Sequence, residues 1–239
     1  EDMPDIMPGQ TEMEEQEPDR QEEEHGESVS YFARWTDRYK EAREYLYGTM
    51  EAEPDEEAAH EIMLEEAEQG NAYAMHDMGK IYAQGIGCEA DKEMADVWYK
   101  KALAAMHYVE QKKRNTYLEY RIGKMYQYGL GTDENLEQAA EWFSKAAAKE
   151  HKYALYSLGM LYLQGKGVEQ DEETVYSLLF RSYSKGNPYA AYELGKLYAA
   201  GCGTEKNQEK SENCYRAAFL GFLNLEKKSK DDTLWYRIG

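Results

Sequence analysis

A motif suited to recognition, Tyr-x-x-Tyr-x-x-x-Lys, occurs four times in the chain with substitutions at single positions. The first copy has histidine at its second position, and the third has methionine at its last. Tyrosine offers broad contact area, few rotatable bonds and a polar tip, and lysine attracts carboxylates, so the set suits binding of a protein or peptide. The candidate partner-binding residues are Tyr73, His76, Lys80, Tyr117, Tyr120, Lys124, Tyr153, Tyr156, Met160, Tyr189, Tyr192 and Lys196.

Residues with catalytic or metal-binding chemistry show no comparable pattern. The string HEIML at His60 lacks the second histidine that a zinc-protease helix carries four residues on. The Gly-x-Gly pairs follow a predicted helix and lack a third glycine, which argues against dinucleotide loops, and no G-x-x-x-x-G-K-[ST] phosphate loop occurs. We therefore predict a chain that is not an enzyme, with no catalytic residue, metal site or cofactor.

The cysteines indicate the redox compartment. Cys88, Cys202 and Cys214 are odd in number and do not have metal-type spacing. This pattern favours a reduced, cytoplasmic setting.

Acidic residues are concentrated at the start of the sequence. Of the net charge of −19, residues 1–28 carry −11 and the other 211 residues carry −8. No basic stripe is present, so direct nucleic-acid binding is not expected, and no apolar run approaches the roughly 20 residues of a membrane helix. Residues 1–28 are predicted to be a disordered tail or linker. The alternative that this tail occupies a lysine-bearing groove of its own or a neighbouring chain stays open.

A helix glycine marks a long internal repeat. The marks at Gly79, Gly123, Gly159, Gly195 and Gly239 are separated by 44, 36, 36 and 44 residues, and a Gly-x-Gly pair begins six residues after each of the first four. This period indicates stacked supersecondary units. The predicted structural glycines are Gly79, Gly85, Gly87, Gly123, Gly129, Gly131, Gly159, Gly165, Gly167, Gly195, Gly201 and Gly203.

Each unit is predicted to be a pair of antiparallel helices. Apolar residues fall at helical spacing before the Gly-x-Gly (helix A) and again after an acidic loop (helix B). One pair is too small to bury its apolar face alone, so neighbouring units must stack. The loop acids that we expect at the start of helix B are Asp91, Asp133, Glu134 and Asp171.

The register glycine lies in the middle of helix A, where it costs about 1 kcal/mol relative to alanine. Its repetition indicates a compensating gain. We expect helix B to approach the glycine closely, so that a bulky residue there would separate the two helices.

The pattern A-x-x-x-L-G-x-x-Y-x-x-G-x-G-x-x-x-D-x-x-x-A-x-x-W resembles the Sel-one-like repeats, which are relatives of tetratricopeptide repeats. One unit matches it at Ala154, Leu158, Gly159, Tyr162, Gly165, Gly167, Val168 and Asp171, and another at Tyr126, Gly129, Gly131, Ala139 and Trp142. The resemblance implies an all-α fold, an α/α superhelical solenoid of stacked antiparallel helix pairs. Cys214 takes the tryptophan position of its unit, so we expect it to be buried.

The predicted organisation has two parts, an acidic tail at 1–28 and a solenoid at 29–239. In the first unit Arg43 replaces the register glycine, as expected for a degenerate capping pair. The predicted units are 31–70 (the capping pair), about 71–115, 116–151, 152–187 and 188–231, with a truncated unit at 232–239. The early stop is expected of a piece of a larger protein.

The resemblance also implies where a partner binds. In tetratricopeptide-type arrays the helix A positions that correspond to the twelve candidate residues face a concave groove that holds extended peptides. We therefore expect a protein or extended-peptide partner, with acidic character favoured by Lys80, Lys124 and Lys196. Two alternatives stay open: the tyrosines pack between neighbouring helices, and the lysines are ordinary solvated charges.

The two steps of 44 residues each carry eight extra residues after helix B, in LAAMHYVEQKKRNTY and FLGFLNLEKKSKDDT. As helix they would add about 12 Å. They are either harmless lengthening or a docking edge that changes the curvature of the array.

Three further functional hypotheses remain. The repeat strings NAYAMHDMGKIYAQGIG and NTYLEYRIGKMY are similar to regions that follow the nicking domain of MobA/MobL-type mobilisation relaxases, which would make the chain a partner-recruiting region. Some secreted Sel-one-like proteins with a cysteine pair in every repeat are associated with β-lactam binding or hydrolysis, but this chain lacks those pairs. A structural spacer without a ligand is the third.

Overall fold

The computed structural model describes residues 30–48 and 53–229. In these residues the helices are joined by short loops, and the β-structure is limited to an isolated bridge between Phe32 and Asn71. The predictions for residues 1–28 and 232–239 lie outside the described residues. The helices are α1 (Asp37–Tyr47), α2 (Glu56–Glu68), α3 (Ala72–Gln84), α4 (Lys92–Lys112), α5 (Thr116–Tyr128), α6 (Leu136–Ala148), α7 (Lys152–Gln164), α8 (Glu172–Ser184), α9 (Pro188–Ala200) and α10 (Gln208–Ser229).

The helices form antiparallel pairs that stack in chain order. The odd-numbered helices are helix A of each unit, and the even-numbered helices are helix B. Each helix packs most extensively on its partner in the pair and then on the adjacent helix of a neighbouring unit. The predicted α/α solenoid is therefore confirmed.

Side-chain caps and glycines set the helix boundaries. Gly85, Gly129, Gly165 and Gly201 are left-handed and end α3, α5, α7 and α9, as expected. Asp91 and Asp171 cap α4 and α8.

In the third unit the loop acids come just before the start of helix B. Asn135 is the cap of α6, because its side-chain oxygen accepts from the Gln138 backbone N–H. Asp133 and Glu134 lie in the loop directly before this cap.

The expected close approach of helix B to the register glycine is confirmed. A β-carbon on Gly79, Gly123 or Gly195 would lie 2.5–2.6 Å from the ring of an aromatic residue on helix B. Those rings belong to Tyr99, Phe143 and Tyr215. At Gly159 the neighbour is Leu179, and the shortest distance is 3.3 Å. The absence of a side chain therefore lets a ring of helix B lie directly on the backbone of helix A.

The second glycine of each Gly-x-Gly pair joins successive units. A β-carbon on Gly87, Gly167 or Gly203 would lie 2.1–2.3 Å from backbone atoms of the first residue of the preceding helix B. These residues also have positive φ, between 62° and 69°. Only glycine satisfies both demands, so these positions set how closely neighbouring units stack.

The long helix α4 displaces the stacking. It has 21 residues, whereas α6 and α8 have 13. Gly131 abuts the backbone between Tyr99 and Lys100, which lies seven residues beyond the first residue of α4. The unit that begins with α5 is therefore displaced by about two helical turns, or about 10 Å, along α4.

Replacement of Gly123 by alanine should lower the free energy of unfolding by about 1–2 kcal/mol. The new methyl group would overlap the fully buried Phe143 ring, and this cost exceeds the gain of about 1 kcal/mol in helix propensity. Gly159→Ala is the control, because its methyl group would meet Leu179 at 3.3 Å and the two terms nearly cancel. Chemical denaturation followed by circular dichroism measures both, and equal stabilities of the two variants would contradict the steric explanation.

Replacement of Gly167 by alanine should be more damaging than the same change at Gly186. Both glycines have positive φ, 69° and 77°, so alanine costs about 1–2 kcal/mol of backbone strain at either. Only at Gly167 does the methyl group also collide with backbone, at Leu136, whereas nothing lies within 4 Å at Gly186. We expect Gly167→Ala to lower the free energy of unfolding by about 2 kcal/mol more than Gly186→Ala does, measured by the same denaturation. Equal losses would show that the unit contact does not require glycine.

Candidate partner-binding surface

Half of the twelve candidate residues are buried. Their exposed fractions are 9% or less, so their side chains offer almost no surface to a partner in this conformation. They are Tyr73, His76, Tyr120, Tyr153, Tyr156 and Tyr189.

The buried tyrosines connect successive units through ring contacts. Tyr73 meets Tyr117 at a centroid distance of 5.3 Å, and Tyr120 meets Tyr153 at 6.2 Å. Tyr156 meets Tyr189 at 6.0 Å. These tyrosines thus form an aromatic ladder between successive helices A. Each ring contact adds about 0.5–1.5 kcal/mol to stability beyond the effect of buried area. For these residues, packing between neighbouring helices is the observed arrangement.

The remaining candidates reach the surface. Tyr192 is 41% exposed and Lys196 is also exposed, whereas Lys80, Tyr117, Lys124 and Met160 are half-buried. We call this set of six the helix A face. It includes the residue directly after the register glycine on each of four helices A, α3, α5, α7 and α9.

The lysines of the helix A face lie against tyrosine rings. Lys80 Nζ donates to the Tyr47 hydroxyl at 3.3 Å, and Lys124 Nζ donates to Tyr128 at 3.0 Å. The Lys196 ammonium lies 4.6 Å from the Tyr192 ring centroid and pairs with Glu193. Each charge is thus held near an aromatic surface, an arrangement suited to contacts that are both polar and apolar.

A buried charge network lies behind the first part of this face. Asp77 on α3 accepts from the Tyr39 hydroxyl at 2.8 Å and from Arg43 Nη1 at 3.1 Å, both through Oδ2. Its Oδ1 accepts from Arg121 Nη2 at 3.1 Å and lies 3.1 Å from His76 Nδ1. The network therefore joins α1, α3 and α5, the first three helices A.

The network contains more positive than negative charge. Arg43 and Arg121 both pair with Asp77, and no other carboxylate of residues 30–48 and 53–229 lies within 4.0 Å of either guanidinium. Burial alone would raise the pKa of Asp77, but Arg121, the hydrogen bond of His76 and Arg43 outweigh it and hold that pKa well below its usual range. Both arginines stay charged and share one carboxylate, so the network has a net charge of about +1.

This network was not predicted above, although the sequence contains a signal for it. Asp77 and Arg121 occupy the same register position, two residues before the glycine, in consecutive units. Arg43 stands where the glycine would be in the unit before them. Alternating charge at neighbouring positions of three consecutive helices A would have indicated an ionic contact across units.

The cysteines and other metal-binding residue types are scattered through the described residues. Cys88 and Cys202 are half-buried and Cys214 is buried, and all three are free thiols. The burial of Cys214 confirms the expectation for the tryptophan position. Across residues 30–48 and 53–229, no three His, Cys, Asp or Glu side chains are grouped as a metal site would require. None of the helices described above combines the length and apolarity that crossing a membrane needs.

The repeat pattern decides the family. The model of the Sel1 repeat matches five segments, at residues 39–71, 72–105, 117–151, 152–187 and 188–220. The chain belongs to the Sel1 repeat family. Proteins of this family typically act as scaffolds for protein–protein interaction. No protein with curated annotation matches the sequence significantly.

Solved structures of Sel1 repeat proteins are similar to this chain. A Sel1 repeat protein from Oxalobacter formigenes is 25% identical, with a TM-score of 0.59, and the match covers 79% of this chain and 74% of that one. The protective antigen c5321 of uropathogenic Escherichia coli, which has an SLR fold, is 26% identical, with a TM-score of 0.52. That match covers 84% of this chain but 44% of c5321.

Loss of the Asp77 charge should destabilise the protein strongly. Asp77→Asn leaves two buried guanidiniums without a counter-charge, which costs about 3–5 kcal/mol at neutral pH. The matched control is Asp96→Asn, which removes an exposed pair with Lys100 worth about 0.3–0.5 kcal/mol. Denaturant titrations at neutral pH measure both losses.

The acid limb of the stability curve tests the same network. Because the folded-state pKa of Asp77 is lowered, its stabilisation is complete above its unfolded pKa of about 4 and is lost as the pH falls below that value. The Asp77→Asn variant should therefore lose less stability than the parent protein between neutral and acid pH. Parallel curves for the two proteins would contradict the ionic network.

Proposed function

We propose that this Sel1 repeat chain is a non-enzymatic scaffold that binds a partner protein, or an extended segment of one, along the helix A face. The observation that carries this proposal is the repeated position after the register glycine. It holds Lys80, Lys124, Met160 and Lys196 on four consecutive helices A, and all four are at least partly exposed. An extended segment that follows the array would meet one of these side chains in each unit.

The buried tyrosines contribute to this function indirectly. Their ladder connects successive helices A, so the lysines and aromatic rings of the helix A face are presented on a rigid support. A rigid surface loses little conformational entropy on binding. The relaxase and β-lactam hypotheses have no supporting observation in the described residues, and the two similar structures named above add none.

The chain would work in a reducing compartment, which we propose to be the cytoplasm. All three cysteines are free, and burial raises the pKa of the Cys214 thiol, so this thiol is poorly suited to forming a disulfide. This is a proposal about where the scaffold meets its partner, and fractionation of cells with an antibody to the chain would test it.

A charge reversal on the helix A face should reduce partner recovery. The test variant is Lys124→Glu with Lys196→Glu, and the matched control is Lys166→Glu with Lys206→Glu, two exposed lysines in the Gly-x-Gly loops. Both variants change the net charge equally. In a quantitative pull-down from the native host, we expect the first to lower recovery of the specific partner about tenfold and the second to leave it unchanged.

The outcomes separate the scaffold from a spacer. Equal recovery with both variants and the parent chain would contradict binding through the helix A face. A spacer without a ligand predicts no protein enriched above a control resin in any of the three samples. Thermal unfolding of each variant must match the parent chain, so that a lost contact is distinguished from a lost fold.

A further inference from the structure

Two cations lie against the same tyrosine ring at the α1–α3 end of the array. Arg43 Cζ is 4.9 Å from the ring centroid of Tyr47, and Lys80 Nζ is 5.2 Å from it. Lys80 Nζ also donates to the Tyr47 hydroxyl at 3.3 Å. The two charged groups therefore lie within about 10 Å of each other and repel, and a bound anion would reduce that repulsion.

Both cations retain unused hydrogen-bond donors. The two hydrogen bonds of Arg43, to Tyr39 and Asp77, come from Nη1 alone, so Nε and Nη2 have no acceptor in the described part of the chain. Lys80 Nζ has three donors and forms one hydrogen bond, to Tyr47, with no described carboxylate as its partner. A guanidinium whose Nε and Nη2 are both unused can donate two parallel hydrogen bonds to a planar anion such as a carboxylate.

The buried network increases the attraction for an anion. Arg43 and Arg121 share the single carboxylate of Asp77, so the interior behind the Tyr47 ring has a surplus positive charge. Arg121 Nε is also buried without a hydrogen-bond partner among the described residues. A buried charge that cannot be neutralised by proton loss is stabilised by an external counter-charge.

The site opens to solvent on one side. Lys80 and Tyr47 are half-buried, and so is Trp35, whose ring lies 5.2 Å from Arg43 Cζ. Arg43 itself is 7% exposed. A small anionic group that enters from this side would therefore approach Lys80 and Arg43, while its remainder stayed in solvent.

Resting on the proposed function, we propose that Arg43, Lys80 and Tyr47 form a binding site for one carboxylate of an acidic segment in the partner. One carboxylate would neutralise the surplus charge of the network, and Lys80 would give it a second ionic contact. The chain has a net charge of −19, so a multiply charged anion such as a nucleic acid would be repelled by the rest of the molecule. Because the whole chain is negatively charged, a peptide carboxylate would be attracted only by the nearby cations, Arg43 and Lys80.

Fluorescence anisotropy with labelled peptides tests this site on the full chain. The probes are an amidated peptide of alternating glycine and glutamate, the same peptide with glutamine, and an alternating glycine–serine peptide with a free carboxyl terminus. We expect the glutamate peptide to bind, the glutamine peptide to bind at least about tenfold more weakly, and added salt to weaken binding. The serine peptide separates the two carboxylate sources: binding as tight as that of the glutamate peptide assigns the terminal carboxylate, and weaker binding assigns side chains.

Variants locate the binding on the protein. Lys80→Gln removes one cation at a half-buried position and should weaken the glutamate peptide about tenfold. Arg43→Lys keeps the charge that pairs with Asp77, loses the planar guanidinium, and should weaken it as well. Lys166→Gln removes an exposed loop charge of the same sign and should change affinity by less than about twofold. Circular dichroism confirms that each variant is folded.

The proposal is overturned if the glutamate peptide does not bind, if the Lys80→Gln and parent proteins bind it equally, or if Lys166→Gln weakens it as much. Failure here differs from failure of the scaffold function. If the Lys124 and Lys196 double variant loses the partner while Lys80→Gln leaves peptide affinity unchanged, the scaffold stands and the carboxylate site does not.

Discussion

The architecture depends on backbone contacts that exclude side chains. The second glycine of each Gly-x-Gly pair abuts the backbone of the preceding helix B, in a left-handed conformation that other residues adopt only with strain. Backbone atoms cannot move aside as a flexible side chain can. Spacing between units is therefore set by main-chain geometry, and apolar packing fills the space which that geometry leaves.

The same constraint explains the displacement at α4. The contact of Gly131 is kept, but its site lies about two turns along a longer helix. The array accommodates eight extra residues by moving the contact rather than by breaking it. The network of Asp77 with Arg43 and Arg121 lies next to this displacement and joins the helices A on both sides of it. Pairing through Asp77 thus joins α1, α3 and α5 at the place where the contact between units is displaced.

Burial divides the helix A residues into two roles. The tyrosines that contact the next unit are packing residues, whereas the residues after the register glycine are half-buried or exposed. Lys80 and Lys196 have the same register but different surroundings: Lys196 pairs with Glu193, and Lys80 faces Tyr47 and the surplus charge behind it. A repeated sequence thus yields non-equivalent sites once its units have different neighbours.

Much of the fold was predictable from local sequence. The glycine period, the helical spacing of apolar residues and the left-handed glycines at Gly85 and Gly129 depend on steric rules that act within a few residues. The compensation for a glycine in mid-helix was also predictable, because a repeated cost of about 1 kcal/mol requires a repeated contact. The start of α6 at Asn135 was not, since Asp133 and Asn135 are both acceptable caps and residue type does not choose between them.

By itself the sequence determined the order of helix pairs, the register of each and the positions where only glycine fits, because these follow from backbone sterics and periodicity. Tertiary structure alone decided which tyrosines are buried and which charges meet. Tyr120 and Tyr192 share one register position, yet the first is buried beneath the next unit and the second is exposed. The register places Arg43, Asp77 and Arg121 on successive helices A, but their pairing depends on the distance between the stacked helices, which the register does not specify.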